Sequence, residues 1–482
     1  GMNVFLIMPT LINRQCLIRN FRCSSRLHNS NKYRRNFEGN AHNFYNTSAS
    51  DESRHGLGGY KQILEKNMDP SPPEGFLSTG PFQKFKGLFK LAPYFLLNGE
   101  QIQPLQEPGE FYNQLKEHIL SAKERIFLAS LYIGSNEKEL VETIRSAVKK
   151  SKQLKVHILL DCLRSTRADH VDLDQSSPAS LLVTLVKEFP DQVTVSLYHT
   201  PDLKGVLKKL IPPRFNESIG LMHIKAFGFD DNLMLSGANL SHDYFTNRQD
   251  RYMLFKNAPG ITNYFADLLR TVSTFSYTLK PAEEFAKHDK PYELVLSQFP
   301  DPITESHLFR KFASSTVKEF VSKWTNDCEL QARHQIIQQQ KNSGVQTNEQ
   351  NVNLDTVILP IIQMGPFSIR QDESTTLSIL ETIAKENDNE EGQYGRVFFA
   401  SGYFNFTQKF KDKILNTKAK FNVLAASPEA NGFYYSKGIS KYIPDVYTLL
   451  EKQFYNDILK HGKSHLVKLE EYKRSNWTFH AK

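Results

Sequence analysis

The amino-acid sequence predicts an α/β protein made of two successive units, each with a mixed β-sheet flanked by helices. Short apolar runs alternate with helical patterns from about Pro108 onward. A polar break at 340–353 is followed by a second alternation of the same kind. The length of 482 residues is sufficient for two or three packed domains. Two such units joined by a linker indicate an ancient duplication.

Hydrophobic periodicity places the individual elements. In the first unit the predicted helices are 111–123, 137–149, 179–188 and 261–273, and the predicted strands are 125–133, 154–161, 193–198, 223–229 and 233–235. In the second unit the predicted strands are 357–362, 396–400 and 421–426, and the predicted helices are 377–384 and 446–459, after a helix-rich stretch at 306–339. The predicted domains are therefore a first lobe at 101–280, a helical and polar linker at 281–353, and a second lobe at 354–482.

The net charge of +8 is concentrated near the start of the chain. Residues 1–50 contain seven Arg and Lys residues and a single acid, Glu38, together with many Ser and Asn residues. This composition predicts a mitochondrial presequence, with a disordered basic tail as the alternative. The apolar run at 4–12 is shorter than a membrane span, and the positive charge follows it, unlike in a secretory signal. The rest of the chain is nearly neutral, which argues against a nucleic-acid-binding protein.

Residues 51–100 are predicted to be a linker that contains one amphipathic segment. Phe82, Phe85, Leu88 and Phe89 have helical spacing, with lysines between them. The segment could lie on a membrane surface, or it could pack on the protein with its lysines in solvent. No run approaches the roughly 20 apolar residues of a membrane span. The four cysteines form no CxxC pair, so neither a disulfide framework nor a metal site is expected.

One pattern carries the chemistry: His223, Lys225, Asp230, Gly237 and Asn239 fit HxK, four residues, D, six residues, GxN. His223 and Lys225 share one face of a strand. A neutral imidazole can attack phosphorus, and an ammonium group stabilises the charge that develops on the phosphoryl oxygens. Asp230 could orient a histidine of either unit. Gly237 permits close backbone approach, and the amide of Asn239 can donate to a phosphoryl oxygen.

A second histidine is needed because one imidazole cannot easily both attack phosphorus and protonate the leaving group. His480 and Lys482 repeat the HxK spacing after a strand-like lead-in. No Asp and no GxN follow them in this sequence. The second lobe is therefore expected to be truncated, and an in-frame continuation with these residues would complete its half-site.

These residues resemble the motif of the phospholipase D superfamily, in which two copies of HxKxxxxD meet across a pseudo-twofold axis. Longer runs are similar to the eukaryotic phosphatidylglycerophosphate synthase family: SLYIG at 130–134, LLDCLRSTR at 159–167, RFNE at 214–217, LSGANLS at 235–241 with DYFTNRQDRY at 243–252, and SP at 427–428 with NGFY at 431–434 and SKG at 436–438. The resemblance covers roughly 107–482. It implies two lobes related by that axis.

The resemblance also implies a function. A phosphatidyl group would pass from CDP-diacylglycerol to sn-glycerol 3-phosphate and release CMP, without a metal or another cofactor. His223 would form a phosphohistidine, and His480 would protonate CMP and then deprotonate the glycerol hydroxyl. The protein would be peripheral, on the matrix-facing surface of the inner mitochondrial membrane.

The dianionic glycerol 3-phosphate needs a cationic pocket, for which Arg164, Arg167, Arg248 and Arg251 are candidates. Each of these arginines could instead pair with Asp161, Asp243 or Asp250. Two other functions stay open from the sequence. The same site with water as acceptor would be a phospholipase D-like hydrolase, and the truncated second motif would suit an inactive fragment or scaffold.

Overall fold

The computed structural model describes residues 4–7, 84–167, 177–203, 221–283, 290–296, 298–342, 354–386 and 395–481. The strands in chain order are β1 (Val4–Ile7), β2 (Phe95–Leu97), β3 (Ile102–Leu105), β4 (Arg125–Ala129), β5 (Lys155–Asp161), β6 (Val193–Tyr198), β7 (Ala226–Phe229), β8 (Asn232–Ser236), β9 (Arg248–Gln249), β10 (Tyr252–Phe255), β11 (Tyr277–Pro281), β12 (Tyr292–Val295), β13 (Thr356–Pro360), β14 (Gln363–Met364), β15 (Ile369–Arg370), β16 (Arg396–Ser401), β17 (Lys420–Ala426), β18 (Val467–Tyr472) and β19 (Thr478–Phe479).

The α-helices are α1 (Pro108–Ser121), α2 (Lys138–Lys150), α3 (Cys162–Ser165), α4 (Pro178–Glu188), α5 (His242–Thr246), α6 (Pro259–Thr274), α7 (Ser306–Asn342), α8 (Gln371–Glu386), α9 (Gln408–Asn416) and α10 (Ile443–Lys460). These elements confirm the mixed α/β class. The pseudo-twofold relation between two lobes stays a prediction.

A nine-stranded mixed sheet dominates the fold, in the order β12-β11-β6-β5-β4-β7-β8-β10-β3. β4, β5 and β6 run parallel, and the other neighbouring pairs are antiparallel. Helices α2 and α4 provide the crossovers that parallel neighbours require. The carboxyl ends of β4 and β5 therefore lie at the edge where β7 begins.

Alternation along β4 explains why this sheet is covered on both faces. Ile126 and Leu128 belong to a core with α1, α2 and α4, whereas Phe127 and Ala129 belong to a second core with α6 and α7. The aromatic side chains that fill the second core include Tyr264, Phe265 and Phe309, all fully buried. The sheet and its two helical layers form a rigid scaffold for the loops at its edges.

A smaller parallel sheet, β16-β17-β18, has its own core with residues of α8, α9 and α10. The strand predicted at 357–362 exists as β13, but it pairs with β1 and β2 in a separate three-stranded sheet. The second alternation of strands and helices is thus distributed over more than one sheet.

The amphipathic segment of the linker packs on the protein where it is described. Lys86–Lys90 form a 3₁₀ helix, and Leu88 is buried against a core that includes Leu354 and Val357. Lys86 and Lys90 are exposed. This arrangement matches the protein-packed alternative. Phe82 lies outside the described residues, as do nearly all of 1–50 and the whole of 214–217.

Most predicted helices and strands are confirmed, with two differences that matter for the site. The strand predicted at 125–133 ends at Ala129, and the strand predicted at 223–229 begins at Ala226. The segments after Ala129 and before Ala226 are not part of these strands, and they contain candidate functional side chains. In the described part of the chain, no helix is long and apolar enough to cross a membrane.

Candidate active site

The first HxK segment lies just before β7, beside the carboxyl ends of β4 and β5. The Asp161 carboxylate at the end of β5 accepts the Met222 N–H at 3.1 Å and the Arg164 N–H at 3.0 Å, which fixes the backbone that leads into the motif. His223 and Lys225 are 9% and 4% exposed. The Lys225 ammonium donates to the His223 carbonyl at 3.1 Å. A buried ammonium group is costly, so Lys225 stays a candidate functional residue.

The GxN turn follows β8 and makes room for an acidic side chain. The Ser236 N–H donates to the Lys225 carbonyl at 3.5 Å, so the turn begins beside the first motif. A β-carbon at Gly237 would lie 2.5 Å from Oδ1 and 2.8 Å from Oδ2 of Asp250. Only glycine lets the Asp250 carboxylate approach the backbone this closely.

The second HxK segment is held by the first unit. β19 pairs in parallel with β9, and the His480 N–H donates to the Gln249 carbonyl at 2.8 Å. A β-carbon at Gly402 would lie 2.5 Å from the Phe479 carbonyl oxygen and 2.9 Å from Cα of His480. Gly402 therefore lets this strand pass close to the smaller sheet. Lys482 lies outside the described residues.

His480 forms a buried dyad with Asp250. Nδ1 of His480 lies 2.7 Å from Oδ2 of Asp250, and the two side chains are 7% and 0% exposed. Oδ1 of Asp250 accepts the Arg251 N–H at 2.7 Å, which fixes the carboxylate from the other side. An acceptor-only carboxylate requires the proton on Nδ1, so Nε2 is the atom that can exchange a proton with a substrate.

Tyr244 contacts that second nitrogen. Its hydroxyl lies 3.4 Å from Nε2 of His480 and accepts an N–H of Asn239 at 3.1 Å. Burial raises the pKa of Tyr244, so the phenol stays neutral. A neutral hydroxyl can donate to bare Nε2 and accept from protonated Nε2. One N–H of the Asn239 amide thus holds the Tyr244 hydroxyl in place beside Nε2 of His480.

Strand spacing brings the two motifs to one edge of the large sheet. The Lys225 backbone neighbours the end of β8. Asp250, which binds His480, lies two residues before β10, the strand on the other side of β8. Two strand spacings amount to roughly 10 Å. The two imidazoles are therefore carried by segments on either side of the Gly237 turn.

The structure contradicts the predicted role of Asp230. This residue forms the hairpin turn between β7 and β8 with φ 50°, a left-handed conformation that Asp tolerates. Its carboxylate accepts the backbone N–H groups of Lys123, Glu124 and Arg125 at 3.0, 2.9 and 3.1 Å. Partial burial opposes its ionisation, but these donors keep its pKa below the ordinary value. Asp230 is a structural turn residue at the far end of β7, and Asp250 is the carboxylate that orients a histidine.

Of the four candidate arginines, Arg248 is engaged by neighbouring residues and Arg251 is exposed. Arg248 forms an ion pair with Asp243 at 3.1 Å, stacks over the Tyr244 ring at 4.6 Å and donates to Thr478 at 3.1 Å. It therefore braces β9 against β19. Arg251 is exposed between two buried neighbours, so its side chain points away from the dyad.

The other two arginines follow β5, close in sequence to the Asp161 anchor. Arg164 stacks over the Tyr132 ring at 4.3 Å and is half-buried. Arg167, also half-buried, is two residues beyond α3. Both lie on the segment that Asp161 anchors next to the first HxK motif.

Sequence reasoning missed Asp250, Tyr244 and Tyr403 as functional residues. Asp250 was considered only as a partner for an arginine. The position of Asp250 offered a signal. It is an acidic residue shortly before β10, and β10 pairs with β8, the strand that leads into the GxN turn. Tyr403, whose ring centroid lies 5.8 Å from that of His480, comes from the second unit and had no sequence signal. Within the described ranges, no group of three or more His, Cys, Asp or Glu side chains could hold a metal ion.

Comparisons with known proteins agree on one family. No protein-family model matches the chain. The "Probable CDP-diacylglycerol--glycerol-3-phosphate 3-phosphatidyltransferase" of Dictyostelium discoideum is 39% identical over 83% of this chain and 65% of its own length. Proteins of Gallus gallus and Homo sapiens, which carry the same enzyme name with the word "mitochondrial", are 38% and 37% identical over 83% and 86% of this chain and 71% and 72% of their own lengths.

One solved structure has a fold similar to that of this chain. Phosphatidylserine synthase from Haemophilus influenzae Rd KW20 aligns over 84% of this chain and 79% of its own with a TM-score of 0.53 and 15% identity. At that identity the likeness concerns the fold alone.

Proposed function

Because this chain belongs to the family of CDP-diacylglycerol–glycerol-3-phosphate 3-phosphatidyltransferases, we propose that its site transfers a phosphatidyl group from CDP-diacylglycerol to sn-glycerol 3-phosphate through a phosphohistidine. The observation that carries the proposal is the buried His480–Asp250 dyad, which lies across the Gly237 turn from the first HxK segment. It supplies the second imidazole that a two-step transfer requires.

In the first step, an imidazole nitrogen of His223 attacks the phosphatidyl phosphorus. The bond between phosphorus and the CMP oxygen breaks, and His480 gives its Nε2 proton to the departing CMP. Asp250 stabilises the imidazolium before this transfer and keeps the proton on Nδ1 after it. The buried ammonium of Lys225 stabilises the negative charge that builds on the phosphoryl oxygens, and we assign the same role to Lys482.

In the second step, glycerol 3-phosphate replaces CMP. Nε2 of His480, now unprotonated, takes the proton from the glycerol hydroxyl as its oxygen attacks the phosphohistidine. The phosphorus–nitrogen bond breaks, which gives phosphatidylglycerophosphate and restores His223 and protonated His480. Tyr244 can hydrogen-bond Nε2 in both protonation states, so the ring keeps its orientation through the cycle.

We assign binding of the glycerol 3-phosphate dianion to Arg164 and Arg167, because both follow the segment that Asp161 anchors beside the first motif. Arg248 is more plausible as a brace than as a ligand-binding residue, since its guanidinium already holds Asp243 and Thr478. A lipid substrate implies work at a membrane surface. The names of the vertebrate relatives support a mitochondrial location, and we propose the matrix-facing surface of the inner membrane.

The test is to trap the intermediate. Purified protein is mixed with CDP-diacylglycerol labelled with ³²P in the phosphatidyl phosphate, without glycerol 3-phosphate, and is quenched in alkali, where phosphohistidine survives. We expect label on His223, absent from His223→Ala and discharged by glycerol 3-phosphate as labelled phosphatidylglycerophosphate. Label on His480 and not on His223 would exchange the two roles.

The same reaction separates the other functions. A product that is phosphatidic acid even with glycerol 3-phosphate present would identify a hydrolase. A folded protein that releases no CMP would be an inactive scaffold or fragment, and the transferase proposal for this span would be refuted.

A further inference from the structure

Exposed apolar side chains are concentrated on one short part of the second unit. Among the described residues, twelve large hydrophobic side chains are exposed, and five of them lie within 434–449. These five are Tyr434 (42% exposed), Tyr435 (87%), Tyr442 (55%), Val446 (51%) and Leu449 (54%), and we call them the aromatic rim. Such a cluster on one short segment indicates a binding surface, whereas scattered exposed residues would not.

Helix α10 presents part of the rim as a continuous stripe. Tyr442 immediately precedes the helix, and Val446 and Leu449 follow it at spacings of four and three residues, on one face. The opposite face is packed, with Phe454 and Ile458 fully buried. The stripe is therefore an outward face of a helix that is already anchored in its own core.

A chain of aromatic rings connects the rim to the catalytic histidine. The Tyr403 ring centroid lies 5.8 Å from that of His480, 5.8 Å from that of Phe433 and 5.5 Å from that of Tyr447. Phe433 directly precedes Tyr434 and Tyr435, and Tyr447 follows Val446. The exposed surface is thus about two rings away from His480, at the border of the site.

The charges within the rim suit an anionic surface. Lys437 and Lys441 are exposed in this segment, and Lys441 lies 4.9 Å from the Tyr442 ring. Asp445 is the one acidic residue in 434–449. Tyrosines with neighbouring lysines are typical of protein surfaces at the headgroup level of a bilayer, where rings have one apolar and one wet side.

We propose that the aromatic rim docks on an anionic lipid bilayer and brings His480 to the level of the headgroups, so that the phosphoanhydride of the lipid substrate reacts without leaving the membrane. This inference rests on the proposed function, because that function supplies the lipid substrate and hence the bilayer as occupant. The acyl chains stay in the bilayer, and the phosphoanhydride lies where the rings insert.

The test compares a rim variant with a matched control. The rim variant carries Tyr435→Ser, Val446→Ser and Leu449→Ser, and the control carries Leu308→Ser and Phe312→Ser on α7, where both side chains are about half exposed. Neither set belongs to the catalytic machinery. The vesicles contain phosphatidylcholine and phosphatidylglycerol. We expect co-sedimentation of the rim variant to fall by roughly tenfold or more, and that of the control to stay near wild type, with unchanged thermal unfolding for both.

Activity is then measured on two substrates. We expect CMP release from vesicle-embedded CDP-diacylglycerol to fall with binding, and CMP release from a short-chain, water-soluble CDP-diacylglycerol to stay within about twofold, since the dyad is untouched. Equal losses on both substrates, or an equal loss in the control, would overturn the proposal. So would wild-type protein that ignores vesicles but dimerises through the rim.

The outcomes for docking and chemistry are separable. If the wild type releases CMP from neither substrate, yet the rim variant alone loses vesicle binding, the docking surface stands and the proposed reaction fails. If CMP release is normal and vesicle binding is unchanged in the rim variant, the reaction stands and the docking surface fails.

Discussion

Gly237→Ala tests whether Asp250 controls the second histidine. The added β-carbon would lie 2.5 Å from Oδ1 of Asp250, whereas ordinary contact begins at 3.4 Å, so the carboxylate has to move by roughly 0.9 Å. The N–H of Arg251 and the His480 ring hold that carboxylate at 2.7 Å on either side, which leaves no free direction. A misplacement of about 1 Å in a catalytic constellation costs roughly 100-fold in rate, equivalent to about 2.7 kcal/mol.

The assay is CMP release at saturating substrates, with a matched control. Gly109→Ala adds the same β-carbon at a position with no neighbouring atom within 4 Å, so its kcat should equal that of wild type. Thermal unfolding of both variants shows whether any loss is confined to the site. We expect kcat of Gly237→Ala to fall about 100-fold with a small change in KM.

A double-mutant cycle identifies the route of the effect. Asp250→Asn places an amide N–H opposite Nδ1 of His480, which favours the wrong tautomer and lowers kcat by up to about 10⁴-fold. If Gly237→Ala acts through Asp250, the double variant should be no slower than Asp250→Asn alone. Two losses that multiply, or a Gly237→Ala enzyme within threefold of wild type, would refute the reasoning.

Three further predictions concern the surroundings of the dyad and the second unit. Tyr244→Phe removes the hydroxyl that contacts Nε2 of His480 and should lower kcat about tenfold while shifting the pH profile; an unchanged profile would contradict the role. Burial, with the Glu471 carboxylate nearby, raises the pKa of Glu451 to about 7, so this group favours folding only while protonated and stability falls as pH rises from 4.5 to about 7. Glu451→Gln should therefore raise Tm above pH 7, by an amount worth about 1 kcal/mol or less because solvent screens the pair, and should leave Tm unchanged at low pH. Arg167→Ala should raise KM for glycerol 3-phosphate about tenfold or more and leave KM for CDP-diacylglycerol unchanged; equal effects on both would refute the assignment.

The sequence predicted the elements well because hydrophobic periodicity is a local property. The buried strand Val193–Tyr198 and the helix Pro178–Glu188 have apolar patterns that leave little choice. The pairing partners were harder to predict. β13 reads as the first strand of a second α/β unit, yet it pairs with β2, because register over long sequence separations depends on packing that local patterns do not encode.

In the candidate site, too, residues in a local motif were predictable, and roles that depend on tertiary contacts were not. His223, Lys225 and Asn239 were identified because their spacing is a motif. Asp230 belongs to the same motif, but its position in a hairpin turn gives it a backbone-capping role that spacing alone does not reveal. Asp250 and Tyr244 acquire their roles only when a strand from the other end of the chain reaches them.

In the proposed reaction, the pairing of β19 with β9 makes residues from both halves of this chain necessary. The dyad joins residues 230 positions apart, and the ring of His480 has its direction set by a carboxylate from the other unit. Under that proposal, a polypeptide that has completed only its first motif has the nucleophile His223 without its proton donor. If those roles hold, catalytic competence requires that β19 docks on β9, and turnover reports that this contact has formed.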